Sequence, residues 1–181
     1  MTKINHLKEI AKSNKSFIIY KSDKGLPGWC AATLLSMIGL FNIFGTLTSG
    51  FLSTKYPKKL ILSFIYLMRG AVIAVFIFLP PSPTLAILFG ISFGFLWLAT
   101  VPPTAGIVGS IFGTKYMGLL YGIVFLSHQI GSFFGAYLGG VFKEIYGSYD
   151  YAWYVSIALS IFAGLIHLPI KEKQVKRLQI A

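Results

Sequence analysis

"GFLSTKYPKKL" (residues 50–60) places Lys55, Lys58 and Lys59 between two long apolar blocks. The block before it, 29–53, reads "WCAATLLSMIGLFNIFGTLTSGFLS" and carries no charge. The block after it, 60–80, reads "LILSFIYLMRGAVIAVFIFLP" and carries only Arg69. About 20 apolar residues, rising roughly 1.5 Å each, cross the hydrocarbon core of a bilayer as a helix. Two such blocks around a short basic turn read as an antiparallel pair of membrane-spanning helices. The fold class that follows is an all-α membrane protein.

The rest of the chain agrees. Of 181 residues, 55% are hydrophobic and 12% are charged. The charged share is about half that of soluble domains. Three further spans follow at about 84–111, 117–142 and 151–170, giving five in a bundle over 29–170. A basic tail that is not a span precedes it (1–28), and a second basic tail follows (171–181). The connections "PPSP", "FGTKY" and "KEIYGSYD" are short and rich in turn residues, so successive helices run antiparallel. The third span contains Pro102 and Pro103. Each removes a backbone donor, which predicts a kink there.

Charge orients the bundle. The loop at 54–59 holds three lysines, "PPSP" none, "FGTKY" Lys115, and "KEIYGSYD" Lys143 against Glu144 and Asp150. The C-terminal tail holds Lys171, Lys173, Lys176 and Arg177 against Glu172. Basic loops stay on the cytoplasmic side. The lysine loop and the C-terminus are therefore expected to be cytoplasmic in a multi-pass protein of the cell (inner or plasma) membrane. Five spans then put the N-terminal tail outside, although its six lysines outweigh Glu9 and Asp23. Three readings remain: the orientation rule is violated, the tail is translocated anyway, or, the reading favoured, an upstream half is missing from this chain.

Several function classes drop out. The formal net charge of +11 sits in tails and loops, not along one helix face, which argues against nucleic-acid binding. The single cysteine, Cys30, excludes an intramolecular disulfide and any cysteine cluster for a metal. There is no phosphate-binding glycine loop and no nucleophile–base set, so neither an enzyme nor a cofactor is expected. Residues 1–25 lack the apolar core of a signal peptide, "FIIY" at 17–20 being the longest run.

"GFLSTKYPKK" resembles the cytoplasmic loop motif of the major facilitator superfamily, Gly-x-Leu-x-Asp-Arg/Lys-x-Gly-Arg/Lys-Arg/Lys. Gly50, Leu52, Lys55, Lys58 and Lys59 match, while Thr54 and Pro57 depart from it. Together with "WLATVPPT", "FGTKYMGLLYGIVFLSHQIGSFFGAYLGG" and "GSYDYAWY", it makes residues 26–173 resemble helices 8–12 of monocarboxylate-transporter-like members. Residues 1–25 do not resemble helix 7. The resemblance implies a partial C-terminal six-helix half. It also implies proton-coupled symport of a small organic anion by alternating access, and a loop whose lysines latch cytoplasmic helix ends.

Transporters place a few polar groups near the midplane, and ionisable ones there are rare. Arg69 is one, able to attract an anion through its fork of donors. His128, in "SHQIGS", is the other, suited to a proton relay, with Gln129 beside it. Asn42 and Thr46 share a face of the first span; on the equivalent helix of well-known monocarboxylate transporters an acidic–basic pair stands four apart, and here both charges are gone. Trp97, Thr100 and Thr104 share a face around the prolines. The candidate substrate or proton residues are therefore Asn42, Arg69, Trp97, Thr100, His128 and Gln129. The glycine pairs 90/94, 118/122, 131/135 and 135/139 predict close helix contacts. The partners expected are the bilayer, the organic anion and a separate N-terminal transporter half. The alternatives are a non-transporting half that needs its complement, or a small homo-oligomeric transporter or channel.

Overall fold

The computed structural model describes residues 28–173; the N-terminal tail and the last residues of the C-terminal tail lie outside them. Among the described residues six helices follow one another: α1 (Gly28–Lys55), α2 (Lys58–Phe78), α3 (Pro83–Trp97), α4 (Val101–Phe112), α5 (Met117–Tyr146) and α6 (Asp150–Ile166). The described residues contain no strand. Among the described residues four segments are long and apolar enough to cross a membrane, with α3 and α4 counted together as Pro83–Phe112; α6, where a fifth span was expected, is a shorter apolar helix.

Local chemistry sets the ends. Pro57 breaks the chain between α1 and α2, because its ring cannot continue the helix before it. Ser82 starts α3: its hydroxyl accepts from the Leu85 N–H at 3.1 Å, and Pro83 follows as the first helical residue. Gly113 (φ 77°) ends α4 and Gly147 (φ 68°) ends α5. Positive φ at these two positions is open to glycine and strained for other residues.

The broken span α3–α4 is the centre of the bundle. It packs between α1 and α2, and α6 lies against the far side of α2. One apolar cluster joins Leu34, Ile73, Phe76, Ala86, Phe89 and Phe93, with Trp153 and Ile157 of α6 against it. A second, nearer the lysine loop, joins Ile61, Ile65, Leu96 and Ala99.

Helices α1 and α3 run parallel and touch along one seam. A Cβ on Gly90 would meet the Leu34 carbonyl at 3.0 Å, and one on Gly94 would meet the Ile38 Cα at 2.6 Å. One turn further on, Asn42 bonds to Leu98 at 3.0 Å. The seam thus climbs four residues at a time on both helices. Gly45 closes its far end, where a Cβ would clash with the Phe95 carbonyl oxygen. On the other side of the bundle, Gly70 faces Ser160, and Gly164 faces Leu67.

Helix α5 differs. None of its thirty residues is buried. Gly118, Gly122, Gly131, Gly135 and Gly139, which their spacing predicts to be contact points, have open space where a Cβ would stand. Between α5 and α6 lies a cavity of about 300 Å³, with Gly135 and Gly139 on one wall and Trp153 and Ser156 on the other.

Candidate functional site

Four of the six predicted residues meet at one place, the break between α3 and α4. Regular helix would bond each carbonyl to the N–H four residues on. Pro102 and Pro103 have no N–H, so the carbonyls of Leu98 and Ala99 lose their regular donors. The Leu98 carbonyl accepts instead from the Val101 N–H at 3.0 Å. Val101 is the regular donor to Trp97, so the disruption is passed one residue back.

Arg69 repairs it. Its Nη2 donates to the Leu96 carbonyl at 2.6 Å and to the Trp97 carbonyl at 2.9 Å. Cationic groups also suit the negative end of a helix. Asn42 completes the set from α1, its Oδ1 accepting from the Leu98 N–H at 3.0 Å. Thr104 returns its hydroxyl to the Thr100 carbonyl at 2.7 Å. The guanidinium lies 5.3 Å from the Tyr66 ring centre, and Tyr66 in turn stacks on His167 at 5.1 Å. Trp97 keeps about half its surface exposed beside the break.

Residues flanking and within the lysine loop grip the first half of α4. Gly50 lies against Pro102, its Cβ position 3.7 Å from the proline Cβ. The stem of Lys58 crosses Gly106, where a Cβ would meet Lys58 Cδ at 2.7 Å. The Lys58 ammonium reaches Glu172 at 3.7 Å. Glu172 Oε1 accepts from the Lys59 N–H at 2.7 Å, and Lys59 Nζ donates to the Leu168 carbonyl at 3.0 Å. The capping position of α2 is Pro57, which offers no side-chain bond. A carboxylate from the far end of the chain thus caps α2. Lys55 turns back over the Phe51 ring at 4.5 Å.

His128 and Gln129 are not brought to this place. Both are exposed on α5, where the His128 carbonyl accepts from the Ser132 hydroxyl and its ring lies 6.1 Å from that of Phe125. Reading residues one by one missed Glu172, Tyr66 and Gly45. Glu172 had a visible signal, being the only acidic residue within the C-terminal tail. Among the described residues no group of histidine, cysteine and acidic side chains could hold a metal.

A bundle of long apolar helices around a proline-broken span, with a basic loop tied to the chain end, defines a polytopic integral membrane protein. The chain belongs to the Major Facilitator Superfamily, whose family model matches residues 15–179. It is similar to an uncharacterized MFS-type transporter, YcxA, of Bacillus subtilis (strain 168). The two are 27% identical over 139 residues, which is 73% of this chain and 33% of the relative. The chain thus spans about a third of the length of the curated relative it matches. No solved structure matches it.

Proposed function

We propose that this chain forms part of a proton-coupled secondary transporter for a small organic anion, and that it works together with further helices. The uncovered helix α5 carries this reading: thirty residues with none buried, holding His128 and Gln129 on an open surface. A transporter site forms between two halves near the midplane, and α5 is the described helix that offers polar groups to another half. His128 takes the role of proton relay, since an imidazole changes charge near neutral pH. Trp97 and Thr100 form part of the wall beside the break. Asn42 and Arg69 act there through the backbone, because their polar atoms hold the C-terminal end of α3. The monocarboxylate-like substrate class rests on the resemblance of the loop motif and of helices 8–12.

The lysine loop and the C-terminal tail face the cytoplasm in this reading, as the positive charge of both suggests. Lys58, Lys59 and Glu172 form the latch at that end.

Uptake of labelled small organic acids tests the proposal. Membrane vesicles from the native host should show saturable uptake that follows an imposed pH gradient and is lost when this chain is deleted or carries His128→Ala. The chain reconstituted alone should show none. Unchanged uptake after deletion rejects the transporter reading. Saturable uptake by the chain alone rejects the need for further helices. It would favour a homo-oligomer, in which a second copy covers α5.

A further inference from the structure

The lysine loop and the chain end bring their charge to one place. Glu172 Oε1 accepts from the Lys59 N–H at 2.7 Å, its other oxygen lies 3.7 Å from the Lys58 ammonium, and Lys59 Nζ donates to the Leu168 carbonyl at 3.0 Å. These bonds join two segments 113 residues apart. Lys171 and Lys173, which flank Glu172, are thereby set near Lys55, Lys58 and Lys59. The joint holds five lysines and one carboxylate, a net charge of +4, and that carboxylate is already bonded. Lys55, Lys171 and Lys173 are exposed. The Lys55 ammonium lies 4.5 Å from the centre of the Phe51 ring, itself an exposed side chain of α1. Its stem thus follows the apolar outer wall of the bundle while its charged head stays at the end. The opposite end differs. Lys143 is turned in on the chain, bonded to the Gly147 carbonyl at 3.0 Å and set over the Tyr149 ring at 5.3 Å, and Glu144 and Asp150 outweigh it.

We propose that the joined lysine loop and chain end form a surface for the headgroups of anionic phospholipids, with Lys55, Lys171 and Lys173 as its exposed contacts and Glu172 as the residue that assembles it. Helix α1 ends and α2 begins at this joint, and both are long and apolar enough to cross a membrane. These ammonium groups therefore stand at the level of the lipid phosphates, whatever the chain transports. Basic clusters beside membrane-spanning helices attract anionic headgroups. Orientation alone needs basic loops anywhere on this side. It does not need two of them tied together by a carboxylate, which gives up one charge to gather five. A lipid fits better than an acidic protein segment, because the Lys55 head rests on an apolar side chain that faces out of the bundle.

Lipid binding by the 181-residue chain in neutral detergent micelles tests this, titrated with phosphatidylglycerol or with phosphatidylcholine of the same acyl chains and read by native mass spectrometry. Phosphatidylglycerol should bind at least about threefold more tightly, and the preference should shrink as salt is raised. A smaller preference overturns the proposal. Lys55→Gln, Lys171→Gln and Lys173→Gln together should cut phosphatidylglycerol affinity by at least about threefold, and a smaller change overturns it. These side chains are exposed, so the triple variant should keep its thermal midpoint. Lys143→Gln removes a charge at the opposite end and should change the affinity by less than about twofold; a larger effect means that the attraction is not local to the joint. Glu172→Ala separates assembly from charge. Loss of a negative charge alone would tighten phosphatidylglycerol binding, whereas loss of the joint weakens it. Tighter binding overturns the role given to Glu172. Displacement of the lipid by polyglutamate, at equal numbers of carboxylate and phosphate, overturns the lipid assignment in favour of an acidic protein segment.

Discussion

Glycines four residues apart occur on both α3 and α5, and the two helices use them in opposite ways. On α3, Gly90 and Gly94 let the backbone of α1 come within reach of where a Cβ would stand. On α5, the same spacing meets open space. Small residues permit close approach but do not supply a partner. Spacing therefore marks where a helix can be touched, and the rest of the bundle decides whether it is. The α1–α3 seam is a close contact, and α5 makes none of that kind among the described residues.

The sharpest way to break that contrast is Gly45→Ala. The added methyl would clash with the Phe95 carbonyl oxygen, so backbone has to move. Overpacking of this kind costs about 1–3 kcal/mol, and a clash with main chain belongs at the top of that range. Thermal unfolding in detergent should show a clear drop in midpoint. An unchanged midpoint would mean the seam is loose, and the contrast with α5 would disappear.

Arg69→Met comes next. It leaves two carbonyls without their donor, at about 1–3 kcal/mol each. The loss of a charge from the apolar interior offsets part of this. A net destabilisation of about 2 kcal/mol is expected by the same unfolding measurement. Arg69→Lys should fall between, because an ammonium cannot reproduce the planar fork.

Four of the five expected spans appear among the described residues as segments long and apolar enough to cross a membrane, because hydropathy and length report crossing directly; the fifth corresponds to α6, whose 17 residues fall short of that length. The break was legible as a kink, because Pro102 and Pro103 carry the cause in their own backbone. What ties it down was not. Arg69 meets Leu96 from another helix, 27 residues away in sequence. A lone arginine in an apolar block looks the same whether it awaits an anion or caps a helix. Asn42 posed the same ambiguity, and its place on the α1–α3 seam settles which backbone group it meets. The glycine spacing on α5 predicted close contacts that the described residues do not make, because the pattern names a face and not its occupant.

The latch at the lysine end is weaker than the seam. Glu172→Gln keeps an acceptor for the Lys59 N–H but removes the ion pair with Lys58. Both side chains are partly exposed, so the loss should be about 0.5–1 kcal/mol and should shrink as salt is raised. A loss that does not respond to salt would point to the cap and not the charge.

The smallest effect is expected at Gly135→Ala, and its sign separates the two regions. In the chain alone, nothing lies within 4 Å of the new methyl. Alanine favours helix over glycine by about 1 kcal/mol at an exposed interior position. Stability of the isolated chain should therefore stay level or rise by a few tenths of a kcal/mol, the gain being limited because α5 unfolds with the rest in a membrane-like medium. If a second helix bundle packs on α5 through Gly131, Gly135 and Gly139, the same substitution should weaken that association, because the methyl holds the two backbones apart. Unfolding of the purified chain and co-purification from native membranes, measured side by side, give the two signs. Opposite signs would show that the open glycines are an interface awaiting its partner. A neutral or favourable result in both would leave α5 facing lipid along that stripe, and His128, seven residues before Gly135 on the same face, would face lipid with it.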